Sequence, residues 1–174
     1  MPYSLTRRSS RAGVPRRLRQ RESRELEFRR IAMGASLLGM ASMAAVTLFQ
    51  LGVVRHLPDP PIDGFDSDRV NAPERASLWG IPDGFYGMTA HAVTLALTAA
   101  WTSDQPRRPP WLPLLAAGFA LGQAIASGWE LWRRPKGNKA WSAYRLVDAA
   151  AHVTTAGLMV PAALRRLCRS MLRC

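Results

Sequence analysis

The chain contains little cysteine. Its two cysteines, Cys168 and Cys174, lie close together at the C-terminal end of the 174 residues. Their C-x5-C spacing fits neither a redox C-x-x-C pair nor a common zinc pattern, so we expect reduced thiols or lipidation sites there. The sequence also lacks a nucleotide-binding loop, a nucleophilic triad and a recognisable cluster of metal ligands. No metal site is predicted.

Acidic residues are scarce as well. Twelve Asp and Glu stand against 24 Lys and Arg, which gives a net charge of +12. Ten of the arginines fall in residues 1–30, where Tyr3 and Phe28 are the only aromatic residues. A nucleic-acid partner is not predicted, because this arm contains no recognisable nucleic-acid-binding module. Arginines beside an apolar run instead indicate membrane orientation and contact with anionic lipids. A signal peptide is disfavoured, because the apolar run that follows exceeds a signal-peptide core.

Charge is nearly absent from four long apolar blocks. The first, Ile31 to Val54, contains none, and a helix of this length spans a hydrocarbon core. We predict an all-α integral membrane four-helix bundle with spans at about residues 31–54, 83–101, 111–132 and 141–164 and an outer loop at 55–80. A soluble bundle would expose too much apolar surface. The tryptophans fall near the predicted span ends, as in an interfacial aromatic belt.

Small residues in the first and third blocks favour close helix packing in lipid. They are Gly34, Ala35, Gly39 and Ala41 in the first block and Ala117, Gly118, Gly122 and Ala126 in the third.

Basic residues predict the orientation. The arm 1–30 and the tail 165–174 are rich in arginine, so both termini are expected in the cytoplasm, with a bacterial plasma membrane as the location. Acidic residues outnumber basic ones in the outer loop, in agreement with this orientation. The loop with Arg133, Arg134, Lys136 and Lys139 departs from the rule, because it would also lie outside.

Two segments carry a resemblance to a known family. "SDRVNAPERASLWGIPDGFYG" in the outer loop and "AWSAYRLV" at the start of the last span resemble the vitamin K epoxide reductase family, within Ile31 to Leu164. The family's loop has a Gly-x-Pro ten residues after a Val, and Val70 with Gly80-Ile81-Pro82 keeps that spacing. The resemblance implies a four-helix bundle that encloses a quinone. It also implies thiol-disulfide chemistry: a C-x-x-C pair in the last span exchanges electrons with the quinone, and loop cysteines relay them to substrate thiols.

The cysteines of that reaction are absent. Ser67 stands at the loop cysteine, and Ser142 and Arg145 stand at the two positions of the C-x-x-C pair. Thiol-disulfide exchange requires a thiolate, so we predict a redox-silent member with a cavity for a quinone or an isoprenoid. Two alternatives stay open: a structural or assembly subunit of a membrane complex, and an oxidoreductase that relies on a partner's thiols.

Ionisable residues in the last span form the candidate site. Arg145, Asp148 and His152 are spaced i, i+3 and i+7 and share one helix stripe, and such groups within a span read as functional. One interpretation is a quinone site, in which Arg145 or His152 donates to a carbonyl, Asp148 orients the donor, and His91 faces it from the second span. The other is a structural Arg145–Asp148 pair with both histidines as satisfied core residues. The histidines could also form a proton path with Asp148 and Glu130.

Overall fold

Helices dominate the described part of the chain. The computed structural model describes residues 16–73, 77–100, 111–132 and 140–171. Its elements are the helices α1 (Arg16–Gln50) and α2 (Ser67–Val70), the short strands β1 (Ser77–Leu78) and β2 (Ile81–Pro82), and the helices α3 (Asp83–Ala100), α4 (Trp111–Trp132) and α5 (Ala143–Met171). The start of the basic arm, Trp101, Cys174 and the basic loop at 133–139 lie outside the described residues.

Three of the long helices are long and apolar enough to cross a membrane. These are Leu26–Gln50 within α1, Trp111–Trp132 in α4 and Ala143–Cys168 within α5. Helix α3, which corresponds to the predicted second span, is not among them, since Asp83, His91 and its threonines lower its hydropathy. The structure therefore supports a helical integral membrane protein, and a fourth crossing by α3 stays a prediction.

Consecutive long helices run in opposite directions. Gln50 at the end of α1 bonds Asp83 at the start of α3, with Nε2 2.6 Å from Oδ1. Arg145 near the start of α5 pairs with the same carboxylate and with Glu130 near the end of α4. All four helices therefore meet at one end of the molecule, which we call the loop end. Along their length, α1 packs against α3 and α5, and α4 packs against α5 and α3.

Alanine lines the contact between α4 and α5. The buried residues of this contact are Ala116, Ala117, Ala120, Ala156, Met159 and Ala163. Side chains this small let two helix backbones approach closely, which favours association in lipid, where the hydrophobic effect does not drive helices together. A second core cluster, Met43, Val46 and Leu57, joins α1 to the outer loop.

Glycines on α3 allow its close approach to α1. A Cβ at Gly84 would lie 2.9 Å from the backbone nitrogen of Thr47, and a Cβ at Gly87 would lie 2.7 Å from Cγ of Met43. Real Cβ atoms do not tolerate such distances without displacement of a neighbour, so larger residues would separate the two helices. The sequence prediction of small-residue packing did not include these two glycines.

Gly39 on α1 also allows a close approach, in this case of the His91 side chain. A Cβ there would lie 2.2 Å from Nε2 of His91, so the predicted packing role of Gly39 agrees with the structure. The other helix glycines of that prediction behave differently, because a Cβ would meet no other part of the described chain within 4 Å at Gly34, Gly118 and Gly122.

A small antiparallel ribbon precedes α3. Leu78 of β1 pairs with Ile81 of β2, and Trp79 and Gly80 between them have φ angles of 53° and 77°. Two consecutive positive φ angles are the backbone of a type I′ hairpin turn. The sequence did not predict this strand pairing, because segments of two residues carry no periodic signal.

We expect Gly39→Ala to lower the free energy of unfolding by about 1–3 kcal/mol, the usual cost of overpacking, because the new Cβ would occupy the position of the His91 ring. Gly34→Ala on the same helix is the matched control and should cost nothing, since its Cβ meets open space. Thermal unfolding in one detergent compares the two variants. Equal stability would contradict the close approach of α1 to His91.

Candidate functional site

The outer loop is joined to the start of α5 by backbone hydrogen bonds. Phe65 and Trp141 form a parallel bridge. The nitrogen of Asp66 donates to the carbonyl of Trp141 over 2.9 Å, and the nitrogen of Trp141 donates to the carbonyl of Gly64 over 2.7 Å. The bridge brings the next loop residue, Ser67, beside the residue that follows Trp141.

Ser67 and Ser142, the positions at which the resemblance places cysteines, are in direct contact. Their Oγ atoms are 3.1 Å apart and hydrogen-bonded, and both residues are fully buried. The carboxylate of Asp59 holds Ser67 from the loop side, since it accepts from the hydroxyl and, over 2.6 Å, from the backbone nitrogen. The contact between loop and helix is thus made by hydroxyls, which cannot take part in disulfide exchange.

Asn71 connects this serine pair to Arg145. Its Nδ2 donates to Oγ of Ser142 over 3.0 Å and to the carbonyl of Ser67 over 2.8 Å. Its Oδ1 accepts from Nε of Arg145 over 2.9 Å. Asn71 is fully buried, and both ends of its amide are used. The serine pair, Asn71 and Arg145 therefore form one continuous set of hydrogen bonds, which we call the loop-end network.

The predicted Arg145–Asp148 pair is wrong. Among the described residues, the guanidinium of Arg145 pairs with the carboxylates of Asp83 and Glu130, with 3.2 Å between Nη1 and Oε2 of Glu130. The reason is direction: side chains of a helix tilt toward its N-terminus. Arg145, near the start of α5, therefore reaches the loop end, whereas Asp148 lies about one turn deeper.

Asp148 instead contacts two histidines in the buried region between the helices. Its Oδ1 lies 2.9 Å from Nε2 of His91 and 3.5 Å from Nε2 of His152. The two imidazole rings stack with centroids 4.0 Å apart and 5° between their planes. The side chains of His91, Asp148 and His152 are 0%, 14% and 4% exposed. We call these three residues the inner cluster; its two histidines face each other, as one sequence interpretation required.

One polar atom of the inner cluster has no hydrogen-bond partner among the described residues. An ionised carboxylate only accepts hydrogen bonds, so it favours the imidazole tautomers that carry the proton on Nε2. Nδ1 of His91 is then an acceptor, and this atom is buried with no hydrogen-bond partner among the described residues. One ligand atom from each of the three residues lies within 4.8 Å of the others. The cluster could therefore hold a polar headgroup or a metal ion.

The predicted site residues divide between the two clusters. Arg145 belongs to the loop-end network with Ser67 and Ser142, where its Nε, Nη1 and Nη2 atoms each donate one hydrogen bond. Glu130 joins that network and does not contact the histidines. The partners that sequence reasoning missed are Gln50, Asp59, Asn71 and Asp83. The sequence pointed only weakly to these partners. Gln50 and Asp83 flank apolar blocks, but one sequence does not show which flanking residues are in contact.

The contact between Ser67 and Ser142 predicts that two cysteines would bond there. Ser67→Cys combined with Ser142→Cys should form a disulfide on mild oxidation with diamide, because the two Oγ atoms are only 3.1 Å apart and a disulfide needs side chains in near contact. Thiol counting by mass spectrometry, with Cys168 and Cys174 replaced by serine, measures the bond. Each single variant is the control. Two free thiols in the oxidised double variant would show that the loop lies elsewhere.

Arg145→Met should lower the free energy of unfolding by about 3 kcal/mol, the lower end of the range for breaking a buried pair, because Asp83 and Asn71 lose their partner. Adding Asp83→Asn should restore much of this loss, whereas adding Asp148→Asn should restore none. Arg165→Met, an exposed position on the same helix, is the matched control. Chemical unfolding of these variants measures the differences, and rescue by Asp148→Asn would support the rejected pair.

Comparison with known families matches residues 30–160 to the Vitamin K epoxide reductase family. Comparisons with curated proteins and with solved structures return no match. The matched range contains the loop-end network, the inner cluster and most of the described helices, and the family is associated with quinones. Taken with the three candidate membrane spans, this match shows that the chain is an integral membrane protein that belongs to the vitamin K epoxide reductase family.

Proposed function

We propose that this chain is a redox-silent member of the vitamin K epoxide reductase family that binds the headgroup of a quinone-type or isoprenoid lipid at the inner cluster. The observation that carries the proposal is Nδ1 of His91, which is buried and without a partner among the described residues. An unpaired buried polar atom costs about 1–3 kcal/mol. A ligand that supplies the missing hydrogen bond therefore recovers free energy on binding.

The direction of this hydrogen bond selects the kind of headgroup. With Asp148 ionised and His91 neutral, Asp148 accepts from Nε2 of His91, 2.9 Å away, and Nδ1 accepts rather than donates. A hydroxyl group can donate to it, whereas a quinone carbonyl cannot. The reduced, hydroquinone form of a quinone or the hydroxyl of an isoprenoid alcohol is thus the favoured ligand, with its hydrocarbon tail among the apolar helices.

Redox silence is supported by the residues that replace the cysteines. Ser67 and Ser142 use their hydroxyls within the loop-end network, and Arg145 is an ion-pair partner of Asp83 and Glu130. None of these groups can form the mixed disulfide that thiol exchange requires. Cys168 is exposed toward the far end of α5, the end opposite the network, so it is not positioned to replace them.

The membrane arrangement belongs to the same proposal. All four long helices cross a bacterial plasma membrane as a bundle, α3 among them, because α3 packs along α1 and buries His91, Thr94 and Thr98. The first turns of α1 and the last turns of α5 are both rich in arginine and lie opposite the loop end. Both termini are then cytoplasmic, in contact with anionic lipids, and no nucleic acid is involved.

A second candidate function is structural. The loop-end network joins the outer loop to four helices. Its polar groups bond one another, as expected if their role is to hold the loop and helices together. Large apolar side chains such as Leu38, Ile125 and Val153 are well exposed on the helices, and they could contact lipid or another membrane protein. A subunit of a larger membrane complex would need no ligand at the inner cluster.

Mass spectrometry of the lipids that co-purify in mild detergent separates the two functions. The wild type should retain a hydroquinone or isoprenoid alcohol at close to one molecule per chain. His91→Phe keeps the ring volume but removes Nδ1, and it should lower retention by roughly tenfold, the equivalent of one net hydrogen bond. His56→Phe is the matched control, because His56 is also a histidine beside an aspartate but is exposed.

The outcomes are distinct. A bound lipid that is lost in His91→Phe and kept in His56→Phe supports the proposal. No such lipid in any of the three proteins overturns it and favours the structural role. Equal retention in His91→Phe and wild type would show that a lipid binds away from the inner cluster.

A further inference from the structure

We propose that the inner cluster is also a binding site for a divalent transition-metal ion with the preferences of Zn²⁺. His91, Asp148 and His152 would supply two imidazole nitrogens and one carboxylate oxygen. This site goes beyond the lipid-binding function and does not depend on it. No sequence motif marks the site, because His91 comes from α3 and the other two residues from α5.

Two of the three distances among the ligand atoms fit a tetrahedral ion, and all three atoms lie within 4.8 Å of one another. With metal–ligand distances near 2.0–2.1 Å, any two ligands of a tetrahedral zinc site lie about 3.3 Å apart. Oδ1 of Asp148 lies 2.9 Å from Nε2 of His91 and 3.5 Å from Nε2 of His152, which brackets that value. The two imidazole rings stack with centroids 4.0 Å apart and 5° between their planes, so the ring of His152 would rotate for both Nε2 lone pairs to point at one ion.

The surroundings favour a transition metal over a hard cation. Mg²⁺ and Ca²⁺ select oxygen ligands, and this cluster offers one aspartate and two imidazoles. Imidazole with a carboxylate is a common ligand set for zinc, iron and nickel. Three protein ligands leave a fourth tetrahedral position, the arrangement of zinc sites that bind a further small ligand.

The cluster lies among three helices, and the ring of His91 is held in place. Gly39 of α1 lies so close to His91 that a Cβ would meet its ring at 2.2 Å, which limits ring movement. Coordination by Nε2 moves the ring proton to Nδ1 without releasing it. The buried Nδ1 of His91 then becomes a donor, and metal-bound histidines regularly donate through this second nitrogen.

Other polar groups in the described chain are poorer candidates. The loop-end network already contains a cation, Arg145, between its carboxylates. His56 and Asp68 form a separate His–Asp contact, at 2.7 Å, but His56 is 86% exposed and has no second histidine beside it. This pair therefore supplies a control within the same protein.

The test measures Zn²⁺ bound to purified, detergent-solubilised full-length protein. Cys168 and Cys174 are replaced by serine and the affinity tag contains no histidine, so that thiols and tags do not bind the ion. The protein is dialysed against micromolar Zn²⁺ with millimolar Mg²⁺, and bound metal is counted by plasma mass spectrometry. We expect about one Zn²⁺ per chain, near zero in His152→Phe and Asp148→Asn, and no change in His56→Phe.

Two further measurements test Zn²⁺ binding independently of the metal count. Zn²⁺ should raise the melting temperature of the parent protein, and a chelator should reverse the rise. Co²⁺ in the same site should give the intense visible bands of a tetrahedral complex, absent in His152→Phe. Less than a tenth of an ion in the parent protein overturns the proposal regardless of how the variants fold, and so does full binding in both variants. Lipid retention has its own readout, so failure of either proposal leaves the other testable.

Discussion

Polar groups inside apolar helices must satisfy one another, and this constraint organises the structure. Neither lipid tails nor the alanine contact between α4 and α5 offers hydrogen bonds, so each buried polar residue depends on a specific partner. Helix α5 supplies residues to both clusters: Ser142 and Arg145 at the loop end, Asp148 and His152 deeper. Three features bring these residues together: the close approach of α1 at Gly39, the docking of the outer loop, and the opposite directions of the helices.

The relation to the vitamin K epoxide reductase family is one of shared architecture and altered chemistry. Ser67 and Ser142 keep loop and helix in contact at 3.1 Å, as a relay of electrons between them would require, but oxygen cannot replace sulfur in that reaction. Arg145 occupies the third position and is committed to ion pairs. The inner cluster differs from this network, because one of its histidine nitrogens has no partner among the described residues.

The sequence predicted much of the fold and only part of the site. Apolar length located the helices, and the Val70 and Gly-x-Pro spacing identified the family. The i, i+3, i+7 spacing correctly placed Asp148 and His152 in the interior, but it paired Asp148 with Arg145. That error arose because spacing along a helix says which residues share a face and not how far a long side chain reaches toward the helix start. Contacts between distant segments, such as Asn71 with Arg145, carry no local signal.

The proposed function requires that the chain keeps the family scaffold without its thiol chemistry. The most direct measurement is the rate at which purified protein reduces a short-chain naphthoquinone in the presence of dithiothreitol, followed by absorbance. We expect the uncatalysed rate, unchanged when Cys168 is replaced by serine. Reduction well above that rate, abolished by Cys168→Ser, would contradict it and show that the chain still transfers electrons from thiols to quinones.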